Sequence, residues 1–377
     1  MIYLIVFIFF LIGIIVFDRN NKEGNRYYWF LCVLLILLWG LRYHVGGDSL
    51  RYENHFSDYP LLSELHNFDF TYASYQPLWY IYNSFLKTIC DSFTFFQIVH
   101  SIIINVGFFV FFKKNSSKKF LLATLYYLLW CPYYNTEILR ESYSVLIFLF
   151  SYKYLLQKKY TKYYLLSLFA LLWHVSALFL FAVPILYNIF NKIDNMKAIS
   201  LIFIVSLSAY FILNYMFSQS LLSILMQGGI DRLEATLDSG GLNINGILYT
   251  LFVISPAFLL LYRFTRRKEQ VKRNTILLYI FVALIGITFI PIQRLVNYFT
   301  FFYLMLIVEA YAETVGKKYH SLYKISIIFI LLIRMKSYFT ELDQGFHKYD
   351  LYLPYHSVFD PKEEIQRETF IINEFLN

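Results

Sequence analysis

The residues best suited to chemistry follow the second apolar run of the chain. Residues 40 to 52, with the sequence GLRYHVGGDSLRY, place two arginines, a histidine and an aspartate directly after a helix end. The planar guanidinium of Arg42 stays cationic at physiological pH and matches the geometry of phosphate oxygens. Gly46 and Gly47 allow a tight turn that brings Asp48 back toward this cation. The segment indicates an anion-binding site, and an interfacial anchor with a salt bridge between Arg42 and Asp48 is the alternative.

A second cationic cluster opens a helix that is predicted to run to residue 156. Residues 135 to 142 have the sequence NTEILRES, and Arg140 lies one helical turn from Glu137 and from Ser144. A local ion pair is therefore one interpretation of this arginine. An arginine that enters an apolar helix is nevertheless costly, and such residues tend to face a cavity or a binding partner. Arg140 is thus a second candidate for binding an anion.

Two further residues carry chemistry at the predicted edge or interior of the membrane. His174 lies deep within an apolar run, in the sequence WHVSA. An ionisable side chain is costly there, which favours a catalytic role over hydrogen-bonded packing. His100 lies nearer the end of its own run and ranks second. Arg294, in the sequence PIQRLVNYF, precedes another helix, and it is either a third anion-binding cation or an interfacial anchor.

The composition indicates which elements must position these residues. Of 377 residues, 58% are hydrophobic, 21% are aromatic and only 15% are charged, and the mean hydropathy is +0.51. A soluble domain carries more charge than this. Several apolar runs approach the roughly 20 residues that cross a hydrocarbon core. The sequence therefore predicts an all-α, polytopic integral membrane protein with about 10 to 12 transmembrane helices.

Apolar segments recur along the whole chain. The first is predicted to be a retained helix rather than a signal peptide, because no basic residues precede it and Asp18 and Arg19 follow it without a convincing cleavage site. The predicted membrane segments are residues 2 to 17, 27 to 41, 94 to 112, 120 to 132, 142 to 156, 163 to 190, 198 to 216, 244 to 262, 275 to 290, 296 to 313 and 320 to 336.

The net charge of +8 lies in short loops between these segments, which indicates topology signals and argues against nucleic-acid binding. The positive-inside rule assigns the basic loops to the cytoplasm: residues 113 to 119, 157 to 162, 263 to 273 and 317 to 318. If the run 163 to 190 crossed once, an odd number of crossings would separate the second and third loops. We therefore predict a re-entrant or two-helix hairpin over 163 to 190, and an amphipathic, interfacial segment over 77 to 90.

The predicted topology places the long polar segments on the outer side of the membrane, where function is accordingly expected. No repeat or soluble segment interrupts the chain, so residues 1 to 377 are predicted to form a single membrane domain. The outer segments are a sizeable first extracytoplasmic loop at 42 to 76, loops at 133 to 141 and 217 to 243, a short link at 291 to 294 and the tail after about 337.

Signatures of soluble enzymes and of metal sites are absent from the sequence. Cys32, Cys90 and Cys131 are odd in number and widely spaced, which indicates buried packing rather than a disulfide framework or a zinc site. The chain has no Walker A loop, no dinucleotide fingerprint, no HExxH, no nucleophile elbow and no DxD-like carboxylate pair. We therefore expect no nucleotide, metal or other cofactor.

Taken in order, these residues resemble the EpsG family of Wzy-type polymerases for O-antigen and capsular polysaccharide. Gly47 departs from the threonine that is usual in the family, and Glu141 and Ser144 stand where glutamine and alanine are common. The residues that carry the resemblance are Arg42, Gly46, Asp48, Arg140, His174, Ser176, Ala177, Arg294, Tyr298, Phe299, Pro354 and Tyr355.

The resemblance implies a GT-C-like architecture and a metal-independent glycosyltransferase in the bacterial cytoplasmic (inner) membrane, with its active site facing the outside or periplasm. The implied substrates are oligosaccharide repeat units carried on undecaprenyl diphosphate, which are joined into O-antigen, capsule or exopolysaccharide. The implied partners, besides these lipids and the bilayer, are a chain-length regulator and a flippase.

The residues suggest a role for each group in that reaction. His174 is expected to be the catalytic base for the attacking sugar hydroxyl, with Asp48 as the alternative. The diphosphate leaving group is expected to be held without a metal by three arginines, Arg42, Arg140 and Arg294. Other parts of the substrate are expected to contact Arg51, Tyr298 and Tyr355.

Three other functions are compatible with charged residues in a membrane helix bundle. A lipid-linked oligosaccharide flippase or other transporter would line its path with arginine and histidine, although the sequence has no inverted repeat or paired broken helices. An O-antigen ligase would share outer-face arginines and a histidine but would transfer finished polymer. A membrane acyltransferase is expected to place its catalytic histidine differently, beside a cytoplasmic acyl donor.

Overall fold

The protein is mostly helical, as the sequence predicts. The computed structural model describes residues 1–67, 76–218, 244–286, 293–343 and 345–373. In these residues the sheet content is one antiparallel pair of short strands, β1 (Glu341–Asp343) and β2 (Phe346–His347). The chain divides into two compact units: unit 1 is Met1–Ala177 with Val308–Asn377, and unit 2 is Leu178–Ile307. A single membrane domain stays a prediction.

The helices follow the apolar runs closely. Their bounds are α1 Ile2–Gly13, α2 Asn25–Gly40, α3 Ser49–Asp58, α4 Pro77–Ile89, α5 Phe93–Asn115, α6 Lys119–Leu129, α7 Cys131–Thr136, α8 Leu139–Leu156, α9 Tyr160–Leu171, α10 Val183–Lys192, α11 Asn195–Ser218, α12 Ile244–Val253, α13 Ser255–Arg266, α14 Gln270–Ile285, α15 Val296–Glu313, α16 His320–Lys336 and α17 Ile365–Ile371. A π-helical turn, Ile14–Asp18, extends α1, and 3-10 helices form at Leu62–Asn67, Val175–Phe181, Ser337–Phe339 and Lys348–Leu351.

Several apolar runs are divided into two helices just before a proline. Pro132, Pro184 and Pro256 lie in the first turn of α7, α10 and α13. Proline has no amide hydrogen and its ring clashes with the preceding turn, so it is tolerated at the start of a helix and not inside one. The continuous segments predicted at 120 to 132 and 244 to 262 are therefore interrupted, and the second of them bends by 47°.

The run from 163 to 190 is not one helix either. Helix α9 ends at Leu171, residues 172 to 174 are irregular, and the chain continues as a 3-10 helix followed by α10. The carbonyl of Leu172 accepts a hydrogen bond of 3.1 Å from the amide of Leu78 at the start of α4. The break lies where the hairpin was predicted to turn, and α4 satisfies part of its backbone.

Membrane crossing by these helices is supported by their length and composition. In the described residues two segments are long and apolar enough to cross alone, Phe93–Asn115 and Val175–Lys192, and the bent pair α12 and α13 adds a third if it crosses as one. Shorter apolar helices are Ile2–Asp18, Asn25–Gly40, Lys119–Leu129 and Asn195–Ala209. The number of about 10 to 12 crossings, the topology, the re-entrant turn and the GT-C-like architecture stay predictions.

Helix α5 lies at the centre of unit 1, where polar side chains satisfy one another. Tyr28 on α2 donates to the carbonyl of Phe109 at 2.9 Å. Asn105 donates to Oδ1 of Asn135 at 3.0 Å and accepts from the hydroxyl of Tyr126 at 2.9 Å. An unpaired buried amide costs about 1 to 3 kcal/mol. This network therefore helps to fix α5 against α6 and α7.

His100 belongs to the same core. It is 1% exposed, with Nε2 3.2 Å from the carbonyl of Tyr134 and Nδ1 3.1 Å from the hydroxyl of Tyr143. A carbonyl can only accept, so Nε2 carries a proton. Both ring nitrogens have partners, which is the arrangement of a packing histidine.

The sequence predicts that all three cysteines are buried. Cys32 and Cys131 are buried, but Cys90, which follows the last turn of α4, is exposed.

Parts of the predicted outer loops cannot be compared with the structure. Residues 68 to 75 of the first predicted outer loop, 219 to 243 of the third and 291 to 292 of the short link lie outside the described residues.

Unit 2 packs α10, α11 and α13 around α14. At one end of α14, Arg273 donates to the carbonyls of Phe190 and Ile193 at 2.9 and 2.7 Å, and to Oδ1 of Asn195 at 2.6 Å. The guanidinium thereby ties the turn between α10 and α11 to α14, and its role is structural.

Candidate functional site

Arg42 is a buried cation immediately after α2. It is 1% exposed, and its Nη1 donates to the carbonyl of Trp39 at 2.5 Å. Its Nε is buried without a hydrogen-bond partner, and it forms no ion pair with the described residues. Burial lowers the pKa of Arg42 to about 10, so the guanidinium is still charged at neutral pH. A buried charge without a counter-ion is costly, and a bound anion would remove that cost.

A tight turn carries the chain from Arg42 to α3. Gly46 has a φ of +107°, and a Cβ on it would lie 2.4 Å from the Cβ of Thr136, so both its backbone and its packing require glycine. Asp48 occupies the N-terminal cap position of α3, and Arg51 lies half-buried in the first turn of that helix. The salt bridge between Arg42 and Asp48, considered from the sequence, does not form. We call residues 41–48 the Arg42 loop.

The tail after residue 337 packs back onto the Arg42 loop. We call residues 345–373 the C-terminal segment. It joins the Arg42 loop as a short antiparallel bridge that includes Ser357. The backbone hydrogen bonds between the two run from Tyr43 to His356 at 2.9 Å, from Gly46 to Leu351 at 2.8 Å and from Val358 to Leu41 at 2.9 Å.

His44 links the Arg42 loop to two helices through its ring. Nδ1 lies 2.6 Å from Oε1 of Glu368 in α17, and Nε2 lies 3.2 Å from Oε2 of Glu53 in α3. Burial disfavours the charged ring, but hydrogen bonds to Glu53 and Glu368 outweigh it, and the pKa of His44 is raised above its ordinary value. The protonated ring can donate to both carboxylates at once.

Arg367 is a second buried guanidinium in this region. It is 2% exposed, and it donates to the carbonyls of Asp350 at 2.9 Å, His44 at 3.1 Å and Pro354 at 2.6 Å. Burial lowers the pKa of Arg367 from its ordinary value. One acceptor lies in the Arg42 loop and two lie in the C-terminal segment, so a single side chain joins both.

Tyr355 forms one wall beside Arg42. Its hydroxyl donates to the carbonyl of Leu38 at 2.8 Å, and its ring meets that of Tyr3 edge to face with centroids 5.8 Å apart. Tyr3 in turn contacts Trp39 at 5.9 Å. The structure therefore brings Tyr355, predicted from the sequence to contact substrate, to the same place as Arg42.

Arg140 lies half-buried in the first turn of α8, just after the residues that pack on the Arg42 loop. The preceding Glu137 accepts a hydrogen bond from the hydroxyl of Tyr352 through its carboxylate, and one of 3.2 Å from Tyr52 through its carbonyl. Glu137 thus ties the link between α7 and α8 to α3 and to the C-terminal segment, rather than serving as the ion-pair partner of Arg140.

His174 lies at the break between α9 and the following 3-10 helix, packed beside α8. The preceding Trp173 stacks on Tyr143, one helical turn from Arg140, with ring centroids 4.3 Å apart. Ser144 donates to the carbonyl of Ala170 at 2.8 Å. These contacts bring the segment that carries His174 to α8, the helix that carries Arg140 in its first turn.

The hydrogen bonds of His174 indicate which ring nitrogen carries the proton. The amide of Ser176 donates to Nδ1 at 3.2 Å, and the hydroxyl of Ser176 lies 2.7 Å from the same atom. An amide can only donate, so Nδ1 accepts and the proton of the neutral ring is on Nε2. In this tautomer His174 presents a donor rather than a base at Nε2.

Arg294 and Tyr298 lie in unit 2. Arg294 is exposed in the turn before α15, and Tyr298 is fully buried inside that helix. The predicted clamp of three arginines therefore has two members in unit 1 and one in unit 2.

Sequence reasoning singled out the segment that contains His44 but missed the residues that hold this segment in place. Glu53, Arg367 and Glu368 are ordinary polar residues in segments expected to face solvent, and no spacing rule pairs His44 with a residue more than 300 positions away. The proline and tyrosine at 354 and 355 were a partial signal, because they marked the C-terminal segment as part of the resemblance.

Comparison with known proteins shows to which family this chain belongs. Searches of curated proteins and of solved structures give no match. A sequence model of the EpsG family matches residues 25–357, which include the Arg42 loop, Arg140, His174 and Tyr355. EpsG proteins are Wzy-like polymerases. The match covers most of the chain, and the protein therefore belongs to the EpsG family.

Proposed function

We propose that this protein joins oligosaccharide repeat units, carried on undecaprenyl diphosphate, into a surface polysaccharide at the outer face of the bacterial cytoplasmic membrane. Membership of the EpsG family supports a polysaccharide polymerase in general terms. The repeat unit, the lipid carrier and the outer-face orientation belong to the proposal. The product is O-antigen, capsule or exopolysaccharide.

The observation that carries the proposal is the state of Arg42. A guanidinium that is 1% exposed, has a buried Nε without a partner and lacks an ion pair in the described chain is a site that an anion would complete. Helix α2 is apolar and ends directly before it. A lipid diphosphate combines an apolar chain with a strongly anionic head, so it matches both features.

The reaction follows from the chemistry of that leaving group. The oxygen of an acceptor sugar hydroxyl forms a bond to the anomeric carbon of the donor, and the bond from that carbon to the diphosphate oxygen breaks. The electron pair leaves with undecaprenyl diphosphate, and the hydroxyl proton passes to a base. Arg42 and Arg140 stabilise the charge that develops on the leaving oxygen. No step requires a metal.

The tautomer of His174 indicates which residue donates a hydrogen bond to the substrate and which residue acts as the base. With its proton on Nε2, His174 donates to a phosphate or sugar oxygen, and Asp48 is then the better base. Asp48 lies at the start of α3, six residues from Arg42 in the chain. Arg51 and Tyr355 contact other parts of the substrate. The flippase and the chain-length regulator act as partners that deliver repeat units and set product length.

Deletion of the gene in its native host tests this function. The surface glycan and the undecaprenyl-linked intermediates are sized by gel electrophoresis and mass spectrometry. The proposal predicts single repeat units exposed outside the membrane and no longer chains. Repeat units trapped on the cytoplasmic side would indicate a flippase, and long lipid-linked chains that never reach an acceptor would indicate a ligase.

A further inference from the structure

We propose that Arg367 and Glu368 are positioning residues for the Arg42 loop, and that the site binds a lipid diphosphate only while the C-terminal segment is docked on that loop. This inference rests on the proposed function of Arg42. Both residues lie beyond position 357, where the match to the EpsG family ends. The side chains of Arg367 and Glu368 therefore lie outside the part of the chain that defines the family, whereas their partner His44 lies within it.

The three hydrogen bonds of Arg367 are the first support. Its planar fork reaches the carbonyl of His44 in the Arg42 loop, and those of Asp350 and Pro354 in the C-terminal segment, at distances of 2.6 to 3.1 Å. Hydrogen bonds from a charged donor are stronger than neutral ones. Lysine has a single nitrogen and cannot reproduce a fork with three separate acceptors. The loop is therefore held in place by a charge that is itself buried.

The second support is the bridge through His44. Glu368 in α17 and Glu53 in α3 approach opposite nitrogens of its ring at 2.6 and 3.2 Å. Helix α3 begins directly after the Arg42 loop, so the bridge ties α17 to the loop and to the helix that follows it. Loss of Glu368 would leave His44 with one carboxylate and would leave Arg367 as the remaining side-chain tie from α17 to the loop in the described chain.

Docking fixes the backbone on each side of Arg42. The neighbouring residues Leu41 and Tyr43 are both hydrogen-bonded to the C-terminal segment, and Gly46 is bonded to it as well. A guanidinium that is already oriented loses less conformational freedom when it binds an anion. Undocking would free the backbone, and ordering it again on binding would reduce the net free energy of binding.

The chain offers a matched control for Glu368. Glu364, just before α17, also contacts a histidine, at 2.7 Å from Nε2 of His356, but both partners belong to the C-terminal segment. Glu364→Gln therefore removes a similar contact without cutting the tie between the segment and the loop. Arg367→Gln and Glu368→Gln cut the tie, and Arg367→Lys keeps the charge with only part of the fork.

The experiment uses the full chain in lipid nanodiscs. Hydrogen exchange of the amides of Tyr43 and Gly46 reports docking, and titration with undecaprenyl diphosphate reports binding at the site. We expect Arg367→Gln and Glu368→Gln to exchange faster and to bind the lipid about tenfold more weakly, with Arg367→Lys intermediate. We expect Glu364→Gln to match the wild type in both measurements, and all variants to keep their melting temperature within a few degrees.

The two readouts separate the possible failures. Wild-type protein that does not bind undecaprenyl diphosphate would overturn the proposed function, and with it the binding half of this inference. Wild-type binding that is unchanged in Arg367→Gln and Glu368→Gln would overturn the positioning role and leave the function standing. Equal effects from Glu364→Gln would also overturn it, because the result would then reflect general loosening of the segment.

Discussion

Nδ1 of His44 lies 2.6 Å from Oε1 of Glu368, although 324 positions separate the two residues in the chain. The contact joins the loop after the second helix to the last helix of the described chain. Because the loop carries Arg42, the C-terminal segment belongs to the candidate site and is not a free tail. The predictions below test this arrangement and the roles proposed for the residues around it.

Docking of the C-terminal segment is expected to depend on pH. The folded pKa of His44 is raised above the unfolded value of about 6.5. The bridge therefore contributes its full stability below about pH 6.5, and the contribution is lost as pH rises through the folded pKa. The titratable or charged groups facing His44 are Glu53 from α3, Arg367 and Glu368 from the C-terminal segment and Tyr43, which stacks on its ring, from its own loop.

Hydrogen exchange of the amides of α17, measured from pH 6 to pH 9 and corrected for the intrinsic rate, checks this expectation. The corrected rate should rise with pH in the wild type. In Glu368→Gln it should start high and change little. The same slope in both proteins would contradict the bridge.

The two adjacent glycines of the Arg42 loop are expected to respond differently to substitution. Gly46→Ala places a Cβ 2.4 Å from Thr136 at a φ of +107°, and we expect a loss of about 1 to 3 kcal/mol in unfolding free energy. Gly47→Ala places its Cβ 3.5 Å from Leu351, an ordinary contact, and should be tolerated. Gly47→Thr, which introduces the residue usual in the family, should also retain polymer. Thermal unfolding in nanodiscs measures the stability of Gly46→Ala and Gly47→Ala, and glycan sizing measures the polymer formed by Gly47→Thr. Equal losses of stability at the two positions would contradict the packing described.

The sequence was informative about elements and much less so about contacts between distant elements. Hydropathy located the helices to within a few residues, for example α15 and α16, because apolar length is a local property. It did not show that α7, α10 and α13 would start afresh at prolines, although Pro132 and Pro256 carried that signal. Arg42 could be singled out because a cation at the end of an apolar helix is costly. The hydrogen bonds by which Arg367 holds the Arg42 loop could not be predicted, because they depend on carbonyls that only the fold brings together.

Arg42→Met is expected to separate binding from stability. Methionine fills a similar volume and removes a buried charge that has no counter-ion in the described structure, so the melting temperature should stay the same or rise. Binding of undecaprenyl diphosphate should be lost. A marked fall in melting temperature would show that Arg42 stabilises the fold, and retained binding would remove it from the site.

His174 and Asp48 are expected to behave differently when their chemistry is changed. His174→Gln keeps an N–H donor and should retain part of the polymer formed by the wild type, whereas His174→Ala should lose it. Asp48→Asn should still bind undecaprenyl diphosphate but form no polymer, because an amide cannot accept the hydroxyl proton. Glycan sizing and lipid titration check both. Normal polymer from Asp48→Asn, together with none from His174→Gln, would return the role of base to His174.

The most direct test of the central claim uses repeat units isolated from the deletion strain, still attached to their lipid. These are mixed with purified protein in nanodiscs, and chain growth and free undecaprenyl diphosphate are measured together by mass spectrometry. The account predicts one undecaprenyl diphosphate released for each linkage formed, in the absence of added metal, and no release by Arg42→Ala. Intact repeat units with no free undecaprenyl diphosphate would contradict it.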